Sequence, residues 1–114
     1  MVNLQQNDSF EDFRRELHEI ADELTSENGV EIHGKLKIEV SKMDTLALLK
    51  GNRIYLNINA KDYPKHILKY ILAHEIAHLA IKRHSKKFWE IVRNIYPNYI
   101  GAHEWLLKKD LSFR

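Results

Sequence analysis

Apolar and polar residues follow changing rhythms along this chain. Phe10, Phe13, Leu17, Ile20, Ala21 and Leu24 recur at helical spacing with charges between them, which predicts an amphipathic helix. Asp8 or Ser9 supplies its cap, Glu11 standing three residues after Asp8, and Asn28-Gly29 supplies its stop. In "KLKIEV" the rhythm shortens: Leu36, Ile38 and Val40 alternate with charges, as in a half-buried strand. "TLALLKGNRIYLNIN" reads as a hairpin turning at Gly51-Asn52. On its second strand Ile54, Leu56 and Ile58 point one way, Tyr55 and Asn57 the other. Pro64 suits the first turn of a helix carried from about Tyr63 to Lys82. Ser85 caps another, over roughly Lys86–Tyr96, which Pro97 ends, and "GAHEWLLKKDL" forms a short terminal helix. The order of helix, three strands and three helices predicts an α+β layer, with the apolar helix against a small three-stranded sheet.

Composition changes this picture little. A chain of 114 residues with 44% hydrophobic and 30% charged residues has the makings of one globular domain, 1–114, with a single modest core. A net charge of +2 does not call for a nucleic-acid partner. The lack of cysteine removes disulfides and thiolate ligands and fits a cytoplasmic setting. "MVNLQQNDSFEDF" lacks the pattern of a signal peptide, and the longest apolar run, near Tyr70–Ile81, is too short and too polar to span a bilayer.

That run carries the chemistry. His74 and His78 stand four apart and project from adjacent turns of one helix face, where two imidazoles can grip one zinc ion. Glu75 is rotated from them by about 100°, outside the ligand set but beside the water that a metal would activate. This is the HExxH arrangement, two ligands and a general base. A third ligand is needed, and His84 is the candidate, completing H-x3-H-x5-H. On a straight helix His84 would stand about 15 Å along the axis from His74, so the chain has to break near Lys82 and fold back. His103 and Glu104 are the rival ligands. The spacing equals that of the metzincins, but Ile81 replaces their turn glycine and Met1 and Met43 both lie upstream, which argues against that group. An oxyanion donor is also needed, and Tyr96, Tyr99 and His103 stand downstream without the sequence choosing among them. Phe88, Trp89, Ile91 and Val92 read as core, and "KRHSKK" as a solvated face. A strand edge near Tyr55–Asn59 is a position where an extended peptide could add.

The stretch "NRIYLNINAKDYPKHILKYILAHEIAHLAIKRHSKKFWEIVRNIYPNY", followed by Trp105, resembles the YgjP-like zinc metallopeptidase domain of the wider SprT/WLM-like group, over about Arg53–Leu107. The resemblance implies a minimal zincin-like fold, one zinc ion on His74, His78 and His84, Glu75 as base, and a peptide or protein substrate. Two other readings differ in class. A YbeY-type metal-dependent ribonuclease shares the histidine spacing but lacks the glutamate after the first histidine; the basic "KRHSKK" favours it and Glu75 opposes it. The other is a zinc-stabilised binding or regulatory module without turnover.

Overall fold

The computed structural model describes residues 4–27 and 36–109. Helix α1 (Leu4–Glu27) is followed by strands β1 (Lys37–Ser41), β2 (Ala47–Lys50) and β3 (Arg53–Asn57). A short 3-10 turn (Ile58–Asp62) leads into helices α2 (Lys65–Ala77), α3 (Lys86–Ile95) and α4 (Tyr99–Lys108). Helix α1 begins before the expected Asp8 or Ser9 cap and runs straight through it, because Leu4, Gln5 and Gln6 are good helix formers that extend the element upstream. The Asn28-Gly29 stop lies outside the described residues.

The hairpin turns where expected, with Gly51 at a φ of 64°, the left-handed region that glycine enters without steric cost. Strand order is not chain order. The sheet runs β1-β3-β2, with β1 parallel to β3 and β2 antiparallel to it. Strand β3 is therefore central and hydrogen-bonded on both sides, so the expected free edge near Tyr55–Asn59 is not there; β2 and β1 hold the edges. Ile54 and Leu56 are fully buried as the alternation requires. Ile58, expected to continue them, instead opens the 3-10 turn. Asn57 makes that change of direction. Its side-chain amide donates to the carbonyls of Met43 (2.8 Å) and Thr45 (3.2 Å), and its Oδ1 accepts from the Asn59 N–H at 3.0 Å. A buried amide satisfied this fully ties the β1–β2 connection to the entry of α2.

One face of the sheet buries Ile38, Ala47, Ile54 and Leu56 against the apolar stripe of α1 (Phe13, Leu17, Ile20, Leu24) and the body of α2. Helix α2 is buried almost all round, as expected of a helix with core on several sides; α3 and α4 cover its remaining flank through Phe88, Val92, Ile95, Ala102 and Leu106. The site-bearing helix is thus the centre of the molecule. Among the described residues no helix is long and apolar enough to cross a membrane.

Candidate metal centre and active site

Tyr70, His74 and His78 recur every fourth residue and form one stripe on α2, while Ile71, Leu72, Ile76 and Ala77 fill the core on its other faces. The helix ends at Ala77, about one turn earlier than the apolar pattern suggests. Leu79 and Ile81 prolong that pattern but are spent on tight turns: the N–H groups of Leu79, Ala80 and Ile81 bond the carbonyls of Ile76 (3.0 Å), Ala77 (3.1 Å) and Ala77 (3.0 Å). The His78 ring locks this stop, its Nδ1–H donating to the Ile81 carbonyl at 3.1 Å. The chain then folds back, and Ser85 begins α3 by accepting the Phe88 N–H at 3.3 Å.

The fold-back delivers His84 to the helix histidines. One ring nitrogen from each of His74, His78 and His84 lies within 4.8 Å of the others. The Nε2 atoms of His78 and His84 face each other at 3.1 Å. Because His78 holds its proton on Nδ1, its Nε2 offers a lone pair. Two nitrogens of one tetrahedral zinc shell stand roughly 3.3 Å apart, given Zn–N bonds of about 2.0–2.1 Å. The donor set therefore fits a metal ion. Phe88 forms the floor beneath all three rings, with centroids 5.1, 4.5 and 5.0 Å from His74, His78 and His84. Trp89 flanks His74 and His84.

Burial sets the charge state. Desolvation holds the His74 imidazole down to about 2, helped by His78, His84 and His103 nearby, and lowers His78 as well. Both rings are thus kept neutral, the form that coordinates metal. Glu75 is wholly buried, and desolvation pushes its carboxyl up to about 9. Its Oε2 and His74 Nδ1 lie 3.2 Å apart and share one proton, while Oε1 has no hydrogen-bond partner in this buried setting. An orphaned carboxyl oxygen buried beside the His74 imidazole is costly unless a cation or a ligand comes to it.

The four downstream candidates separate. His103 on α4 is half-buried; its Nδ1 and the Tyr70 hydroxyl are hydrogen-bonded at 2.6 Å, and its ring packs edge-on to Tyr70 and Trp89. Tyr99 is stacked between Tyr70 and Trp89, each with an interplanar angle of 19°. Tyr96 lies under Lys69, 6.0 Å from the ammonium nitrogen to the ring centroid. Glu104 is exposed and stands outside the group of three histidines. Tyr70 is the residue that sequence reasoning missed. Its signal was its spacing, four before His74 on the same stripe, but the partner that gives it meaning is on another helix. Phe88 and Val92 are core as expected, yet Phe88 and the half-buried Trp89 also wall the site.

An apolar helix that carries HExxH, and a fold-back that returns a third imidazole to it, define the class of small metallopeptidase domains. The YgjP-like metallopeptidase-domain model matches residues 6–109, and the chain belongs to that family. No curated protein matches it. Solved structures similar in fold include two metallopeptidase zymogens. The metallopeptidase zymogen abylysin of Pyrococcus abyssi shares 20% identity over 82% of this chain and 93% of its own, with a TM-score of 0.69. The metallopeptidase zymogen jannalysin of Methanocaldococcus jannaschii shares 22% identity over 83% of this chain and 97% of its own, with a TM-score of 0.68.

Proposed function

We propose that the chain is a zinc-dependent peptidase in which His74, His78 and His84 hold one zinc ion per chain and Glu75 is the general base. Bound there, zinc would supply a Lewis acid for the scissile carbonyl and make a neighbouring water more acidic. The remaining work falls to the chain. The buried imidazoles stay neutral and are oriented beforehand by their Nδ1 bonds, as supporting hydrogen bonds orient ligand histidines elsewhere. Glu75 takes the proton of the attacking water on Oε1, the carboxylate oxygen without a partner, and passes it to the leaving amine. We assign the oxyanion donor to His103. With the Tyr70 phenol donating to Nδ1, Nε2 would carry the ring proton and be the atom left to donate to charge developing on the carbonyl oxygen. Strand β2, the sheet edge that α2 packs beside, offers its free backbone groups to an extended substrate.

The observation that carries this reading is the convergence of three imidazoles and a buried carboxylate in a chain of a metallopeptidase family. Glu75→Gln tests it. The amide keeps shape but cannot accept a proton, so zinc content and melting temperature should hold while peptide hydrolysis falls about 10²–10⁴-fold. The two solved structures named above are zymogens, so the assay takes the intact chain and the chain after limited proteolysis. Near-normal turnover by the variant would remove Glu75 from the role of base.

A further inference from the structure

We propose that the cavity beside His78 is a subsite for an acidic side chain, so that the substrate is a peptide or protein with a glutamate next to the bond that is cut. This rests on the peptidase reading and names its substrate class. The cavity holds about 280 Å³ and is lined by Leu49, Gly51, His78, Leu79 and Lys82. His78 belongs both to this lining and to the group of three imidazoles, so whatever fills the cavity lies against the candidate metal centre. Leu49 pairs with the buried Ile54 and so faces the helix side of edge strand β2. A strand added to β2 would present alternate side chains to that same side.

The walls specify the occupant. Leu49 and Leu79 are half-buried and apolar, Gly51 contributes no side chain, and Lys82 alone brings a formal charge. An aliphatic stem with a carboxylate at its end matches two leucines and an ammonium group. Glutamate has that stem, and aspartate is shorter by one methylene. Lys82 is also available. Among the described residues Arg14, Arg15, Arg53 and Lys65 each pair with a carboxylate, whereas Lys82, Arg83, Lys86 and Lys87 pair with none. Glu90 stands one turn along α3 from Lys86 and Lys87 and makes no ion pair with them. The fold-back therefore carries four cations without an ion pair among the described residues, one of them lining the cavity, and this positive charge favours acidic chains. Single-stranded RNA would call for aromatic stacking platforms along a basic groove; among the described residues no Phe, Tyr or Trp ring lines this cavity, and Lys82 is its one cation.

The test uses zinc-loaded protein and a degenerate peptide library whose cleavage products are sequenced, then matched peptides carrying Glu, Gln, Leu or Lys at the selected position. Binding of the same peptides to Glu75→Gln protein is measured without turnover. Glu should be preferred over Gln by about 5-fold, the scale of a surface ion pair. Lys82→Ala should abolish the preference and Lys82→Glu should turn it toward Lys, while Lys108→Glu on α4 should leave it unchanged. Cleavage with no acidic preference, or a preference that Lys82→Glu leaves in place, overturns the subsite and spares the peptidase reading. Selective binding of the Glu peptide by a protein that cuts no peptide upholds the subsite and sinks the peptidase reading. Binding of no peptide, or cleavage of an RNA oligonucleotide instead, overturns the proposal.

Discussion

The two halves of the candidate site are built in opposite ways. Every residue from Tyr70 to His78 is buried, and each histidine there is held by a hydrogen bond and a packed helix. Every residue from Lys82 to Lys87 is exposed, His84 included, and its neighbours are four cations. The helix half gives precision: its imidazoles have nowhere to turn and burial keeps them neutral. The loop half gives reach and charge, and it is tied down by the cap at Ser85 and by the rings of His78, Phe88 and Trp89 against His84. A metal ion bridging the halves would bind the folded arrangement selectively and so stabilise it.

Removing the floor common to both halves should have the largest effect. Phe88 is fully buried beneath all three imidazoles, so Phe88→Ala leaves a cavity and should cost about 3–5 kcal/mol in denaturant unfolding, with zinc binding lost alongside. A cost under 1 kcal/mol would mean that the rings do not rest on Phe88. The next test separates the halves. His84→Ala should weaken zinc binding by more than about 100-fold, beyond the usual cost of losing an outer supporting group. In the metal-free chain the same change should move stability by less than about 0.5 kcal/mol, as for other exposed positions. His103→Ala and Glu104→Ala should keep zinc, the first losing turnover. Release of zinc by Glu104→Ala but not by His84→Ala would instead give two helix histidines and a glutamate as ligands. Ser85→Ala should act more gently, costing about 1 kcal/mol through the lost cap and about 10-fold in zinc affinity as His84 loses its anchor; calorimetry and zinc titration read the two effects separately.

A further effect concerns pH and belongs to the helix half. The Glu75 carboxyl is raised by burial from 4.5 to about 9, so in the metal-free chain the folded state holds a proton that the unfolded state has released. That stabilisation is complete below the ordinary carboxylate range and is lost as pH rises toward about 9. The melting temperature of metal-free protein should therefore fall between pH 7 and 9, and Glu75→Gln should flatten the fall. Zinc should flatten it too, since a dication beside the carboxylate favours the ionised form. A fall of equal size in the variant would assign it to another group.

Much of this was readable from spacing. The stripes of α1, β1 and the hairpin follow from period, and the Ser85 cap from residue type. The α+β class and the His74, Glu75, His78 cluster were readable in the same local way. What was not readable depends on distant pairing. Nothing local to "KLKIEV" says that it runs parallel to β3 and makes β3 central, so the peptide edge was misplaced onto Tyr55–Asn59. The end of α2 was set too late because Leu79 and Ile81 keep a helical apolar rhythm while their amides close turns. Tyr70 was not singled out because the bond that distinguishes it reaches His103, on a helix two elements later.

The early end of α2 has a consequence for how such chains can vary. Between Tyr70 and His78 position is a matter of phase: one inserted residue turns everything after it by about 100° and would swing His78 off the stripe. Between His78 and Ser85 the backbone is not helical, and position there is a matter of reach, about 3.3–3.6 Å for each added residue. Insertions of one or two residues near Lys82–Arg83 can be absorbed as slack while His84 still returns to its place. In related sequences the first histidine spacing should therefore be rigid and the second elastic.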